Sequence, residues 1–121
     1  MDDANQDALE ELGAHVTAKL GNAVIDHQIG NGELNVETTV DDIVRVLKFL
    51  RDDAICQFKS LMDVCGVDYP EQEKRFEVNY NLLSYKHNQR IRIKVRTDED
   101  TPVPSVSTVF PTASWFELGH R

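Results

Sequence analysis

The alternation of apolar and polar side chains over residues 75–82 and again over 90–96 constrains the fold of this chain more than any other feature. Apolar side chains take every second position in two runs, which are Phe76, Val78, Tyr80, Leu82 and then Ile91, Ile93, Val95. Because successive side chains of a β-strand point to opposite faces, the pattern predicts two strands, 75–85 and 89–96, each with one buried face. His87 and Asn88 lie between them, and asparagine tolerates the positive φ of a tight hairpin turn.

The rest of the chain supplies helices and further strands for such a sheet. The predicted elements are a helix over 6–20, strands over 22–29 and 33–38, a helix over 40–50 capped by Thr39, and a buried strand over 57–67 with Phe58, Leu61, Met62, Val64 and Val67 as its apolar members. The order helix-strand-strand-helix-strand-strand-strand, followed by short helical turns, predicts one α+β domain over 1–121. We expect a two-layer sandwich, a mixed sheet of about five strands with helices on one face.

The composition disfavours several classes of function. A formal net charge of −8 argues against nucleic-acid binding, which depends on a dense cationic surface. The first residues lack a secretion signal, and no stretch approaches the roughly 20 apolar residues of a membrane span, so a soluble cytoplasmic chain is expected. The two cysteines, Cys56 and Cys65, are too few for a disulfide framework.

No constellation of residues in the sequence points to catalysis. The histidines are far apart and neither cysteine belongs to a C-x-x-C pair, so no metal or iron–sulfur ligands are predicted. The carboxylates cluster in predicted loops, where solvated charge is the ordinary outcome. We therefore expect no catalytic residue and no cofactor. A small independent enzyme or ligand-binding domain, with a cleft lined by these groups, stays open as an alternative.

Four basic residues at every second position form a cationic row on the last predicted strand. This basic stripe consists of Arg90, Arg92, Lys94 and Arg96. One interpretation is a solvated outer face whose charges are offset by acids such as Glu77 on the neighbouring strand. The other is a docking surface for an acidic partner, because a concentrated cationic row orients encounters.

An aromatic cluster lies near the end of the sequence, with Phe110, Trp115 and Phe116 as its members. Packing of these rings against the sheet is one interpretation, because aromatic side chains bury large areas. Exposed members would instead mark an interface.

Five segments in chain order, 58–70, 74–78, 82–95, 101–106 and 110–117, resemble a known family. They include Asp68-Tyr69-Pro70 and Trp115-Phe116-Glu117. The chain resembles the thirty-kilodalton subunit of NADH-quinone oxidoreductase, which is respiratory complex I. Family members continue well beyond the position of Glu117, so the resemblance implies that this chain is truncated and lacks the family's C-terminal tail.

The resemblance implies a structural role. The thirty-kilodalton subunit belongs to the peripheral arm, on the cytoplasmic face of the bacterial inner membrane, and packs against the forty-nine-kilodalton subunit that houses the quinone pocket. It binds no flavin or iron–sulfur cluster, and it meets the membrane only through the complex. The equivalent subunit of a related membrane-bound hydrogenase is an alternative. The candidate partner contacts are Arg90, Arg92, Lys94, Arg96, Asp68, Tyr69, Trp115 and Phe116.

Overall fold

The computed structural model describes residues 3–98 and 100–115, and within them it confirms the predicted α+β class. The elements are α1 (Asp3–Leu20), a 3-10 turn (Gly21–Ala23), β1 (Asp26–Gly30), β2 (Glu33–Thr38), α2 (Ile43–Asp52), β3 (Ser60–Asp68), β4 (Phe76–Ser84) and β5 (Gln89–Thr97). No helix in this part of the chain combines the length and the apolar character that crossing a membrane requires.

The five strands form one mixed sheet in the order β1-β2-β5-β4-β3. β2 and β5 run parallel, whereas the other neighbouring pairs are antiparallel. β5 is thus the central strand, although it is the last strand in sequence. Its long partner β4 is joined to it through the predicted turn, in which Asn88 has a φ of 51°. The earlier hairpin turn uses Asn31 and Gly32 in the same left-handed region.

Both helices pack on one face of the sheet, which holds the hydrophobic core. The buried strand residues are the predicted alternate positions, such as Val36, Tyr80 and Ile93, and they meet Leu12 of α1 and Leu47 of α2. The segment after β5 closes the core with Val106, Val109, Phe110 and Ala113. Arg51 Nη1 holds this segment through a 2.9 Å hydrogen bond to the Val109 carbonyl. The described chain is therefore two layers, with the opposite sheet face uncovered.

The structure corrects several details of the prediction. β1 begins at Asp26 rather than at residue 22, because Gly21–Ala23 form a 3-10 turn. β3 begins at Ser60 rather than at residue 57, because Gln57 has a φ of 53° and cannot continue a strand. Met62 and Val67, predicted as buried, are 42% and 39% exposed. β3 is an edge strand, and its register shifts between Leu61 and Asp63, so Met62 is displaced from the alternation.

The start of α2 also differs from the prediction. The helix begins at Ile43 with Asp42 at the N-cap, not with Thr39. Thr39 Oγ1 instead donates to a carboxylate oxygen of Asp42 at 3.2 Å. The threonine thus supports the turn that precedes the helix.

Candidate functional site: the open face of the sheet

The uncovered face of the sheet, called here the open face, is a polar surface built from alternate residues of five strands. Its central row is the basic stripe on β5, because Ile91, Ile93 and Val95 point into the core from the intervening positions. The rows beside it are Glu33, Asn35, Glu37 on β2 and Glu77, Asn79, Asn81 on β4, with Asp63 and Cys65 beyond on β3. The predicted orientation of the stripe is correct.

Carboxylates on the neighbouring strands pair with three of the four stripe residues. Arg92 lies 3.3 Å from Glu33, and Lys94 lies 4.0 Å from Glu37. Arg96 lies 3.6 Å from Glu77, which the sequence analysis gave as an example of the acids that offset the stripe. Two pairs follow directly from the register, because Lys94 lies opposite Glu37 and Arg96 lies opposite Glu77. Arg92 lies opposite Asn35 and reaches diagonally to Glu33, two residues earlier on β2. These three members of the stripe are consequently neutralised within the chain, as in the interpretation of a solvated outer face.

Arg90 differs from the other members of the stripe. It is exposed at the start of β5, and within the described residues it has no ion pair. Tyr85, in the turn just before it, is 73% exposed. This end of the open face therefore combines an unneutralised guanidinium group with an aromatic ring, both accessible to a partner.

Hydrogen bonds connect the polar side chains across β5, β4 and β3. Arg92 Nε donates to Asn81 Oδ1 at 2.9 Å, and the Asn81 amide in turn donates to the carboxylate of Asp63. On the same strand Asn79 donates to Glu77 at 3.0 Å. A network of this kind fixes side-chain positions, so the open face presents a pre-ordered pattern of donors and acceptors.

A shallow hollow in the open face has a volume of about 140 Å³, and its lining includes Asp26, Gln28, Asn35, Glu37 and Lys94. Pockets for drug-sized ligands are usually ~300–1,000 Å³. This hollow is too small for such a ligand, although it can accept a single side chain of a partner.

The Asp68-Tyr69-Pro70 segment ends β3 and begins the turn that leads to β4. Arg75 Nε and Nη2 each donate to one oxygen of Asp68 at 2.9 Å, and this hydrogen bonding lowers the pKa of the Asp68 carboxyl group. The Tyr69 amide donates to the Arg75 carbonyl, and its ring remains 38% exposed. Asp68 thus has a partner inside the chain, whereas Tyr69 is accessible.

The aromatic cluster divides between the core and the surface. Phe110 is buried, whereas Trp115 is 80% exposed. Phe116 lies outside the described residues. The indole ring of Trp115 is thus not packed against the sheet in the described residues, and its contact with a partner stays a prediction.

One cluster of reactive side chains could not be identified from the sequence. His15 from α1, Asp53 at the end of α2 and Cys56 in the following turn place their donor atoms within 4.8 Å of one another. Burial, together with the charge of Asp53, raises the pKa of the Cys56 thiol to about 12, so the cysteine is not an activated nucleophile. The only signal in the sequence is the Asp53-x-x-Cys56 spacing, because His15 reaches the cluster through helix packing.

Comparisons with known proteins agree with the fold and with the resemblance seen in the sequence. The family model described as respiratory-chain NADH dehydrogenase, 30 kDa subunit, matches residues 36–118. A NADH-quinone oxidoreductase subunit of Xanthobacter autotrophicus is 56% identical over 111 residues, covering 92% of this chain and 53% of that protein. The subunit of the same name in Methylobacterium radiotolerans is 54% identical over 110 residues, covering 91% and 51%. The chain thus spans about half the length of the curated relatives it matches.

A solved structure shares the architecture. A chain in the structure of the membrane-bound sulfane sulfur reductase, an archaeal respiratory membrane complex, superposes with a TM-score of 0.75 over 89% of this chain and 62% of that chain. Its sequence identity is 21%, so the likeness concerns the fold alone. The family match and the relatives at more than 50% identity show that the chain belongs to the family of the 30 kDa subunit of respiratory-chain NADH dehydrogenase.

Proposed function

We propose that this chain is a non-catalytic structural part of the peripheral arm of proton-translocating NADH:quinone oxidoreductase, and that its open face packs against the quinone-pocket subunit. The observation that carries the proposal is a sheet covered by helices on one side only, in a chain whose relatives are subunits of that enzyme. Such a subunit supports electron transfer from NADH to quinone by holding its neighbours in place. It would reach the cytoplasmic face of the inner membrane only through the complex.

The charge pattern of the open face favours docking through hydrogen bonds and shape. Three stripe cations are already paired with acids of the same chain, so a strongly acidic partner gains little from them. A polar partner surface with few net charges fits the pre-ordered network better. Within this proposal the partner contacts with solvent-exposed side chains are Arg90, Tyr69 and Trp115. Asp68 contributes indirectly, because it stabilises the turn that holds Tyr69.

The alternative of a subunit from a related membrane-bound hydrogenase has weaker support. The structural likeness to the sulfane sulfur reductase speaks for a shared fold, whereas the relatives at more than 50% identity are named as subunits of NADH-quinone oxidoreductase. We therefore retain the role in NADH:quinone oxidoreductase as the proposal.

Size-exclusion chromatography with light scattering, on the chain alone and mixed with the purified quinone-pocket subunit, tests the proposal. Arg90→Glu reverses the unneutralised charge on the open face, and Lys19→Glu makes the same reversal on exposed α1, on the helical side. We expect a complex with one copy of each protein, weakened by R90E and unchanged by K19E. A matching experiment with a full-length thirty-kilodalton subunit provides the positive control.

Two results would count against the proposal. Binding by the full-length subunit but not by this chain would place the contact in the other half of the protein. A complex that is insensitive to R90E and weakened by K19E would move the contact to the helical side. Circular dichroism of both variants checks that each keeps the parent fold.

A further inference from the structure

Three side chains with different ligand chemistry meet at the boundary between core and solvent. His15 Nε2 lies 2.8 Å from Asp53 Oδ2, and the Cys56 side chain is within 4.8 Å of both donor atoms. Cys56 is fully buried, whereas the side chains of His15 and Asp53 are 21% and 20% exposed. The cluster joins two parts of the chain, which are α1 and the turn that follows α2 and leads to β3.

The structure holds these ligands in place. The His15 ring lies beside the Phe49 ring, with 6.0 Å between centroids. Asp53 Oδ2 accepts a hydrogen bond from the Ile55 amide at 3.0 Å, and the Asp53 carbonyl accepts from the Cys56 amide at 3.1 Å. The carboxylate and the thiol are thus fixed on one tight turn. This turn limits how far either donor can move away.

The donor set suits a borderline divalent cation. Zinc binds imidazole nitrogen, thiolate sulfur and carboxylate oxygen at about 2.0–2.3 Å, which places tetrahedral donors about 3.3–3.6 Å apart. His15 Nε2 and Asp53 Oδ2, 2.8 Å apart, are closer than that range, and the Cys56 sulfur lies within 4.8 Å of both atoms, so displacements of the donor atoms by about 1 Å would complete the geometry. A thiolate and a carboxylate also supply two negative charges, which neutralise a dication.

We propose that His15, Asp53 and Cys56 bind one Zn²⁺ ion, with water as the fourth ligand on the exposed side. Binding replaces the thiol proton of Cys56, which is released to solvent. The neutral imidazole of His15 coordinates through Nε2 and carries its proton on Nδ1, and no electron is transferred. The ion would fasten α1 to the end of α2, next to the core. This role is separate from docking to the quinone-pocket subunit, because the cluster lies on the helical side.

The surroundings set the expected strength of this site. Lys19, Arg45 and Lys48 line the shallow surface beside Phe49 and Asp53. Their positive charge opposes a cation, although Asp52 on the same surface offsets part of it. Only three protein ligands are available among the described residues. We therefore expect weaker binding than in a closed site with four protein ligands. A chelator should remove the ion without unfolding the chain.

Titration of the metal-free chain with Zn²⁺ by calorimetry, and with Co²⁺ by absorption spectroscopy, tests the proposal. We expect one ion per chain and a thiolate-to-cobalt charge-transfer band in the near ultraviolet. Loss of a residue that only supports a metal ligand lowers metal affinity by about 10- to 100-fold. Cys56→Ser and His15→Gln each remove a ligand, so each should weaken the affinity for Zn²⁺ by more than that. The matched controls Cys65→Ser and His27→Gln replace exposed residues of the same types and should bind like the parent.

The thermal unfolding temperature gives a second readout that does not depend on affinity alone. Zn²⁺ should raise it for the parent and for C65S, and should leave C56S unchanged, because only a ligand that binds the folded state stabilises it. Absence of the charge-transfer band, or its loss in C65S with retention in C56S, would overturn the proposal. Circular dichroism of the metal-free variants separates loss of ligand from loss of fold.

Discussion

Replacement of Ile93 by alanine tests the placement of β5 at the centre of the sheet. Ile93 is fully buried and lies in register between Val36 on β2 and Tyr80 on β4. The substitution removes three buried carbons, worth about 0.8 kcal/mol each on transfer, and leaves a cavity that the central strand cannot close. We expect a loss of about 3–4 kcal/mol in the free energy of unfolding, a large part of the ~5–15 kcal/mol typical of a domain.

Equilibrium unfolding in urea measures this loss, with two control variants. Ile93→Val removes one carbon and should cost about 0.5–1.5 kcal/mol. Ile55→Ala changes an isoleucine that is 55% exposed and should stay within about 0.5 kcal/mol of the parent. If I93A were as mild as I55A, with an unchanged denaturant slope, then β5 would not present Ile93 to the core. A slip of one residue, which exchanges the two faces of the strand, would explain that result.

Three further outcomes follow from other contacts. Thr38→Val removes the buried hydrogen bond of 2.6 Å from Oγ1 to the Ala23 carbonyl and should cost about 1–3 kcal/mol in urea unfolding, because that carbonyl loses its partner. The Arg75 hydrogen bonds lower the pKa of Asp68 in the folded state, so their stabilisation is present above the unfolded pKa of that carboxyl and is lost as pH falls through the folded pKa. Arg75→Ala should therefore flatten the acid limb of a stability-against-pH curve, and an unchanged limb would contradict the assignment. A thiol reagent should modify exposed Cys65 first and Cys56 only on unfolding, and equal rates would contradict the burial of Cys56.

Alternation along the strands could be predicted from the sequence because burial acts on each residue locally. The period of two placed Ile91, Ile93 and Val95 in the core and the basic stripe outside, as the structure has them. For similar reasons, two further features were predictable: the positive φ of Asn88 in the last hairpin turn, and the packing of both helices on one face of the sheet. Each depends on a property of a short segment.

Features that depend on distant segments could not be predicted in the same way. The parallel pairing of β2 with β5 joins residues almost 60 positions apart, and no local pattern specifies it. The edge position of β3 follows from that strand order, so the exposure of Met62 and Val67 was missed. The meeting of His15 with Asp53 and Cys56 likewise requires the packing of α1 against α2. The family resemblance indicated the role but not these contacts.

The ion pairs of the open face bear on how a partner could cover it. Burying an isolated charge is costly, whereas a charge that keeps its partner and its hydrogen bonds loses less on desolvation. Arg92, Lys94 and Arg96 would enter an interface already paired with Glu33, Glu37 and Glu77. Arg90 would enter it without an acidic partner from residues 3–98 and 100–115.

A partner that covers the whole open face must therefore supply an acceptor for Arg90, or leave this guanidinium group at the solvent-exposed rim. The two arrangements differ in the expected cost of Arg90→Ala. Loss of a buried charge-assisted contact costs about 2–5 kcal/mol in binding, whereas loss of a rim charge chiefly changes the association rate and its salt dependence. Since Tyr85 is exposed beside Arg90, the stronger effect would place the centre of the interface at the β4–β5 turn. The weaker effect would place it nearer the network of Asn81, Arg92 and Asp63.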